Sequence, residues 1–469
     1  MVFVISAIAF QAGSNLREKQ YFHLPLKQSS LQASALLKLT PEWDPVAVGQ
    51  TKAADTEDRQ LFRNVFNLLK AHYVDPVTPE METAMARGAV RGMIDSFGDP
   101  DNRFMDPTER KLLDDAGNGR FYGIGAILTI KNEKVAKTID AANPGSNKAK
   151  PDLLDIIKII VVSPMPGSPA EKAGIRAGDS ITDINGKWII TSDPFLMANL
   201  DKLSKAVRNK ELDEFEYQKT FDIAEKKLKD GMEIPEALEI LTARSSGEIT
   251  VKVNRNGSKK PFEFKMPCTE TYSDPVVSRK LDSGLRYIKI SQFNKSATAE
   301  FSRQMSFISN DDSKGLILDL RNNPGGLISS GIGIASQIMG GGTLGTVIET
   351  TKRHTIRISK SNKYTKPVVV LVNNGTASVA ELVAASLSES GSAVLVGTRT
   401  FGDGLTQTPL TLKDGSAAIF TTGRMITSKG VDFNNKGIIP NKVVMNSSAT
   451  EDLQLNEAQR ILLAKTGKV

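Results

Sequence analysis

Between Asp55 and Lys70 the apolar residues Leu61, Phe62, Val65, Phe66, Leu68 and Leu69 recur at the spacing of one helix face. A second helix is predicted over Thr78 to Phe97, with Pro79 near its start and Gly98 just after its end. Gly98-Asp-Pro-Asp-Asn reads as a turn, and a short helix follows from Pro107 to Asp115. Beyond residue 118 the period shortens. Tyr122-Gly-Ile-Gly125-Ala-Ile-Leu-Thr-Ile130 is a glycine-rich turn entering a strand, and Ile156 to Val162 is a β-branched apolar run. Ser168 is placed to cap a short helix ending at Gly174, Ala177 to Gly186 holds a turn, a strand and an Asn-Gly hairpin, and Gly247 to Asn254 alternates as a strand. Two stretches interrupt this pattern. Residues 131–155, rich in Lys, Asn, Ala and Pro, read as a flexible loop. Residues 192–245 are charged, with Leu200, Leu203, Phe215, Phe221, Ile223, Leu228, Leu238 and Leu241 in a helical pattern. From 270 to 446 strands (286–291, 315–320, 367–372, 393–397, then 405–427) alternate with helices (298–309, 329–339, 378–388), the pattern of a mostly parallel sheet with crossover helices. A last helix is expected over Glu451 to Lys465.

These periods divide the chain into 1–12, an apolar start; 13–55, a polar linker with Pro25, Pro41 and Pro45; 56–117, a helical unit; 118–268, a β-rich domain with inserts at 131–155 and 192–245; 270–446, an α/β core; and 447–469, a terminal helix. The first ten residues carry no charge and are too short to span a bilayer, but Ala7-Ile-Ala9 and Ala9-Phe-Gln-Ala12 offer small-residue cleavage patterns. Export is therefore expected, to a periplasmic or secreted location with the N-terminus as a signal or anchor remnant.

Composition narrows the chemistry. Of 469 residues 40% are hydrophobic and 24% charged, enough apolar mass for a real core. The net charge of +7 is spread over 60 basic and 53 acidic residues without a long basic run, and no nucleic-acid motif accompanies it, so no nucleic-acid partner is expected. Cys268 is the single cysteine, which excludes an intrachain disulfide, and its place at a strand end marks it as a buried thiol. His23, His72 and His354 are scattered, without the spacing of a zinc site, and no metal or cofactor is expected. A Ser-His-Asp triad would need one of these three to fold in beside a serine.

Two loops carry candidate chemistry at the carboxyl ends of expected strands, where sheets of this kind place their sites. Strand 367–372 runs into Asn373-Asn-Gly-Thr-Ala-Ser378, and a helix begins at the serine. A helix N-terminus offers free N–H groups and a positive dipole end to an oxyanion. The simpler alternative is that Thr376 or Ser378 is only a helix cap. Pro324-Gly325-Gly326 follows another strand, and its glycines allow close backbone approach. A serine nucleophile needs a proton acceptor, and the Gly-rich loop 397–407 is placed to reach the same edge.

Four segments taken together, Gly315-Leu-Ile-Leu-Asp-Leu-Arg-Asn-Asn-Pro-Gly-Gly326, Asn374-Gly-Thr-Ala-Ser-Val-Ala-Glu381, Thr400-Phe-Gly-Asp-Gly-Leu-Thr-Gln407 and Lys436-Gly-Ile-Ile-Pro440, occur in the order seen in the carboxy-terminal processing peptidases, or tail-specific proteases. Tyr122 to Gly125 and Ser163 to Asp179 resemble the PDZ domain of that family, and Asp99 to Pro107 resembles the linker after its N-terminal helices. The resemblance runs from about residue 60 to 465. It implies a helical N-terminal unit, a PDZ-like β domain with a helical insertion, and a ClpP/crotonase-like α/β peptidase core. By resemblance Ser378 is the nucleophile, backbone N–H groups near Gly325, Gly326 and Val379 form the oxyanion hole, and Gln407 positions the base. The N–H groups of Gly123, Ile124 and Gly125 would grip the carboxylate of a protein or peptide C-terminus, whose tail adds as a strand.

One position departs from the family pattern. Asp403 stands where the family has its general-base lysine. The lysine acts as a neutral amine whose pKa is lowered by burial. With reference values of about 3.9 for Asp and about 10.4 for Lys, a carboxylate is far the weaker base. Three alternatives follow: an inactive relative that binds C-terminal peptides through the PDZ unit, a slow peptidase with a carboxylate base, or a peptidase in which another group such as Lys429 reaches in. The insert at 192–245 is a further candidate surface for a partner protein.

Overall fold

The computed structural model describes residues 57–97, 99, 102–136, 153–189, 219, 222, 230–243, 247–258, 260–309, 312–412, 414–446 and 451–467. The apolar start at 1–12, the linker at 13–55 and most of the insert at 192–245 lie outside them. No helix among the described residues is long and apolar enough to cross a membrane.

The N-terminal helices are α1 (Glu57–His72) and α2 (Pro79–Asp95). The Thr78 hydroxyl caps α2 by accepting from the N–H of Met81 at 3.3 Å, with proline in the first turn. The apolar stripe of α1 is present, but Leu61, Phe62, Val65, Leu68 and Leu69 are all exposed. After α2 come a three-residue strand β1 (Arg103–Met105), in a segment expected to be a linker, and α3 (Pro107–Gly117).

Residues 121–272 form one compact unit. Its strands β2 (Ala126–Ala136), β3 (Leu153–Pro164), β4 (Ser180–Ile184), β5 (Lys187–Trp188), β6 (Gly247–Asn254) and β7 (Phe262–Cys268) make an antiparallel sheet in the order β2-β3-β4-β6-β7, with β5 paired to β4. Helices α4 (Pro169–Ala173) and α5 (Ile234–Thr242) complete it. Ser168 caps α4 as expected, through the N–H of Glu171 at 3.1 Å. Two expectations need correction. Residues 131–136 and 153–155, expected to be part of a flexible loop, continue β2 and β3 as a ladder from Lys131 opposite Lys158 to Ala136 opposite Leu153. Their polar composition suggested a loop, but an antiparallel partner satisfies their backbone whatever the side chains. Residues 234–242 are no peripheral insert either. Ile234, Ala237, Leu238 and Leu241 pack into the same core as Ile159, Val161, Ile181 and Val251.

The second unit comprises, among the described residues, those of 57–120 and 273–467. Its main sheet contains β8 (Val276–Lys280), β9 (Arg286–Ile290), β10 (Leu316–Asp319), β13 (Val368–Val372), β14 (Val394–Gly397) and β17 (Lys442–Val443), in the order β8-β9-β10-β13-β14-β17. All neighbours are parallel except β8 and β9. Helices α6 (Ala297–Ser309), α7 (Ile328–Met339) and α8 (Val379–Glu389) cover one face, and α9 (Leu453–Lys465) covers the other. The alternation of β13 shows this directly: Val368, Val370 and Val372 pack with α6 to α8, whereas Val369 and Leu371 pack with Ala458 and Leu462 of α9. Both faces being covered explains the unbroken apolar runs. Each such valine buried contributes about 1.5–3 kcal/mol. A second, antiparallel sheet is built from β11 (Gly342–Glu349), β12 (Arg353–Ile358), β15 (Leu405–Thr411) and β16 (Ala417–Thr427), with β1 added at the β16 edge.

Candidate active site

Parallel strands bring their carboxyl ends to one edge of the main sheet, and three loops meet there: 320–326 after β10, 373–378 after β13 and 398–404 after β14. Hydrogen bonds knit them together. The Asn373 side chain accepts from the N–H of Asn322 (2.9 Å) and donates to the Asn322 side chain (2.8 Å). The Thr376 hydroxyl donates to the carbonyl of Leu320 (2.8 Å), the N–H of Ala377 to that of Asn323 (2.9 Å), and the N–H of Phe401 to that of Thr376 (2.9 Å).

Ser378 sits where the three loops converge, buried, immediately before α8. Its backbone is held at φ 53° and ψ −123°. For a residue with a Cβ this is a sparsely populated conformation that costs on the order of 1–3 kcal/mol. An ordinary helix cap sits in the extended region, as Thr78 and Ser168 do. The geometry at Ser378 is therefore more than capping requires.

Gly325 shows how close the loops lie. With φ at +100°, its position for a Cβ is 2.8 Å from the Ser378 Cβ and 3.1 Å from the Val379 nitrogen, so only glycine fits. The expected oxyanion donors separate at this point. The N–H of Gly325 is taken by the Asn323 side chain at 2.9 Å. Among the described residues, those of Gly326 and Val379 have no acceptor. A sequence pattern could not reveal that Asn323 turns back onto the glycine two residues on.

The residue that organises the site is Glu381, which stands out in the sequence only as the end of a motif. It is fully buried one turn into α8. One carboxylate oxygen accepts from the Thr400 hydroxyl (2.5 Å) and the N–H of Gly402 (2.8 Å); the other accepts from the N–H groups of Ser378 (3.0 Å) and Asp403 (2.7 Å). Burial pushes its carboxyl up to about 7, with the nearby Asp403 charge adding to the rise and the donors opposing it. The sequence signal is the serine-to-glutamate spacing of three residues before an apolar run, the spelling of a capping box. Here the glutamate also reaches across to a second loop.

Asp403 thus shares a carboxylate oxygen of Glu381 with Ser378 through the backbone, and is half-buried. Its loop is backed by 435–438: the N–H of Asn435 donates to the carbonyl of Gly402 (2.8 Å) and that of Ile438 to the Thr400 hydroxyl (2.6 Å). Gln407 is fully buried in β15, beside an irregularity in the ladder between Thr406 and Gln407. Lys429 is not brought in. Its N–H donates to the Glu389 carboxylate (2.9 Å) at the opposite end of α8, a helix of 11 residues that places it about 16 Å from Ser378. His354 lies on β12 with Nε2 3.3 Å from the Glu349 carboxylate.

Behind loop 320–326 is a second group that the sequence does not announce. Arg321 engages Asp319 through Nη2 (2.6 Å) and Nε (3.0 Å), Asp452 through Nη1 (2.8 Å), and Gln454 (3.2 Å). The Tyr287 hydroxyl donates to Asp319 at 2.6 Å. This buried network fixes the end of β10 against the cap of α9.

In the other unit, Gly123, Ile124 and Gly125 stand at the entry to β2, the first strand of its sheet. The N–H of Ile124 is engaged by the carbonyl of Leu241 at 3.0 Å. The expectation that all three N–H groups face an incoming carboxylate is therefore corrected for Ile124, because the end of α5 has been folded onto it. Cys268 is buried at the end of β7, as expected, with its thiol 3.6 Å from the carbonyl of Ile240.

Comparison with known proteins agrees with these features. Residues 284–444 match the model of peptidase family S41, and residues 160–198 match a PDZ domain. The chain is 28% identical over 393 residues to the carboxy-terminal processing protease CtpA of Bacillus subtilis (strain 168), covering 83% of this chain and 70% of that protein. It is 29% identical over 369 residues to the chloroplastic C-terminal processing peptidase of Tetradesmus obliquus, covering 77% and 68%. Among solved structures, the photosystem II D1 C-terminal processing protease superposes with a TM-score of 0.57 over 88% of this chain and 99% of that one, at 24% identity, which shows a shared fold. A match to peptidase family S41 and a match to a PDZ domain lie together in this chain, the combination that its similarity to the carboxy-terminal processing peptidases implies.

Proposed function

We propose that this chain is a serine endopeptidase that cleaves proteins recognised by their C-terminal tails, with Ser378 as nucleophile and Asp403 as a weak carboxylate base. The observation that carries this reading is the backbone of Ser378, held at φ 53° and ψ −123° at the start of α8. Strain of this kind persists only where surrounding structure enforces it, and here Glu381 and the Gly325 loop do so.

The proposed chemistry is acyl transfer. The Ser378 hydroxyl attacks the scissile carbonyl as its proton passes to the Asp403 carboxylate. The N–H groups of Gly326 and Val379, with the N-terminal end of α8 behind them, stabilise the oxyanion. The proton then passes to the departing amine, and water hydrolyses the acyl ester by the reverse sequence. Glu381 positions Ser378 and the Asp403 loop together, and Gln407 positions the base. In the other unit, the start of β2 receives the substrate tail as an added strand with its carboxylate at residues 123–125. By analogy with the family, this takes place in an extracytoplasmic compartment.

A second reading is favoured by one specific observation, the aspartate itself. A carboxylate is a weak base near neutral pH and adds negative charge beside a developing oxyanion, so the chain would bind tails without cutting them. An unfolded protein with an apolar tail, incubated across pH 4 to 9 with wild type and Ser378→Ala, separates the two. Cleavage that disappears in Ser378→Ala supports the peptidase. Absence of cleavage by wild type at every pH, with tail binding retained, supports the binding protein.

A further inference from the structure

The loop proposed to receive the tail carboxylate is already in contact with something that resembles one. A helix carries partial negative charge on the unsatisfied carbonyls of its last turn. The last turn of α5 points such a carbonyl, that of Leu241, at the N–H of Ile124 (3.0 Å). The approach is close enough to demand glycine beside it. A Cβ at Gly123, where φ is +80°, would fall 2.0 Å from the Leu241 oxygen and 2.6 Å from the Thr242 Cα.

The loop has no freedom to turn away from the helix. Its three carbonyls are pinned from behind: Gly123 accepts from the N–H of Thr269 (2.9 Å), Ile124 from that of Ala170 (2.9 Å) and Gly125 from that of Met165 (2.9 Å). At the end of α5 the side chain of Leu241 is packed in the core, but the backbone is held by fewer hydrogen bonds, the Cys268 thiol at 3.6 Å from the Ile240 carbonyl among them. Ala243, its C-cap, has already left the helix at φ −58° and ψ 139°, and its N–H reaches Ile240 only at 3.4 Å. The Thr242 hydroxyl, 2.7 Å from the carbonyl of Leu238, is the stitch that closes this turn.

We propose that the carboxyl end of α5 is a built-in competitor for the tail site: the Leu241 carbonyl occupies the Ile124 N–H that an incoming carboxylate would use, and a tail binds by displacing the last turn of the helix. This rests on the tail-binding reading above and adds a regulation to it. Only tails whose carboxylate outcompetes a neutral carbonyl gain full access, so the site discriminates against internal peptide segments and amidated ends, which carry no charge.

The test uses the full chain, amide hydrogen exchange, and a decapeptide ending in leucine as the free acid, with its amidated twin. In the free protein the Ile124 amide exchanges slowly. Saturating free-acid peptide speeds exchange over residues 240–243 and leaves Ile124 slow, because one acceptor has replaced another; the amidated twin does neither. Thr242→Gly, which removes the stitch, binds the free-acid peptide about 3- to 10-fold more tightly, the worth of one net hydrogen bond. Thr242→Ser keeps the stitch and binds as wild type, controlling for folding. Fast exchange of Ile124 in the free protein overturns the proposal whatever the peptide does. So does tight binding that leaves exchange at 240–243 and the affinity of Thr242→Gly unchanged. If neither wild type nor Thr242→Gly binds while Ile124 stays slow, the tail-binding reading itself fails, and α5 is structural.

Discussion

Replacing Asp403 by lysine tests the proposed dyad where it is weakest. The N–H groups of Asp403 and Ser378 donate to the same oxygen of Glu381, at 2.7 and 3.0 Å. Two donors on one oxygen lie within about 6 Å of each other, so a lysine side chain at 403 spans the gap to the Ser378 hydroxyl. The gain follows from base strength. A free aspartate has a pKa of about 3.9 and a free lysine about 10.4; partial burial brings an amine down towards 7–8, where general bases contribute about 10²- to 10⁴-fold. Asp403→Lys is therefore expected to raise the rate of Ser378 acylation at pH 8 by about 10²-fold or more. The charge effect runs the same way, since a cation beside the oxyanion replaces an anion. Labelling by a fluorophosphonate, followed from pH 5 to 9 with Ser378→Ala as the blank, measures this directly. Wild-type labelling should rise and level off at lower pH than that of the variant. If Asp403→Lys keeps its fold, with slow amide exchange at Ser378 and Gly402, yet labels no faster than wild type, residue 403 does not face the nucleophile and the dyad is wrong.

Other predictions address how the site is held. Gly325→Ala places a methyl 2.8 Å from the Ser378 Cβ at a φ of +100°; the expected cost is about 2–4 kcal/mol, read as a lower urea midpoint, together with at least a tenfold loss of Ser378 labelling. Arg321→Ala leaves the buried Asp319 carboxylate without its cation and should cost about 3–5 kcal/mol, with Arg321→Lys in between because the planar fork is lost. Glu381 gives stability a pH dependence of definite sign. Its carboxyl titrates at about 7 in the folded state against the ordinary 4.5 of a glutamate in the unfolded chain, so the folded chain holds the extra proton between these limits. The contribution is fully present below about pH 4.5 and is lost as pH rises through 7. Its span is on the order of 3 kcal/mol. Urea midpoints of wild type should fall across that window relative to Glu381→Gln, which cannot titrate; parallel profiles for the two proteins would rule this out.

Much of this arrangement is legible because it is local. The β13 run Val368–Val372, the turn to Ser378 and the helix beyond are encoded within some twenty consecutive residues, and the order of motifs brings the loops to one edge of the sheet. What escapes is long-range. The Arg321–Asp452 contact joins residues far apart in the chain, and neither has a local signature beyond a charge at the end of an apolar segment. The hairpin of β11 and β12 is hidden because Gly340-Gly-Gly342 and the basic residues around His354 disguise its alternation. The helical pattern of α5 is legible, but its place in the core is hidden for the opposite reason: its flanks are so charged that the buried stripe of Ile234, Leu238 and Leu241 reads as an insert.

The Arg321–Asp452 contact has a bearing on when the site comes into being. The two residues are separated by 131 positions. At about 5–20 residues per second of synthesis, Asp452 emerges roughly 7 to 26 seconds after Arg321. The strand β10 can be made throughout that interval and the serine turn during the later part of it, but the arginine that steadies the glycine loop lacks one of its two acidic partners. The same holds for the back face of the sheet, which waits for Ala458 and Leu462. From Ser378 to Asp452 is 74 positions, so a nascent chain is expected to carry its proposed nucleophile for roughly 4 to 15 seconds before the cradle behind it can close, and the order of translation sets the serine turn ahead of the structure that backs it.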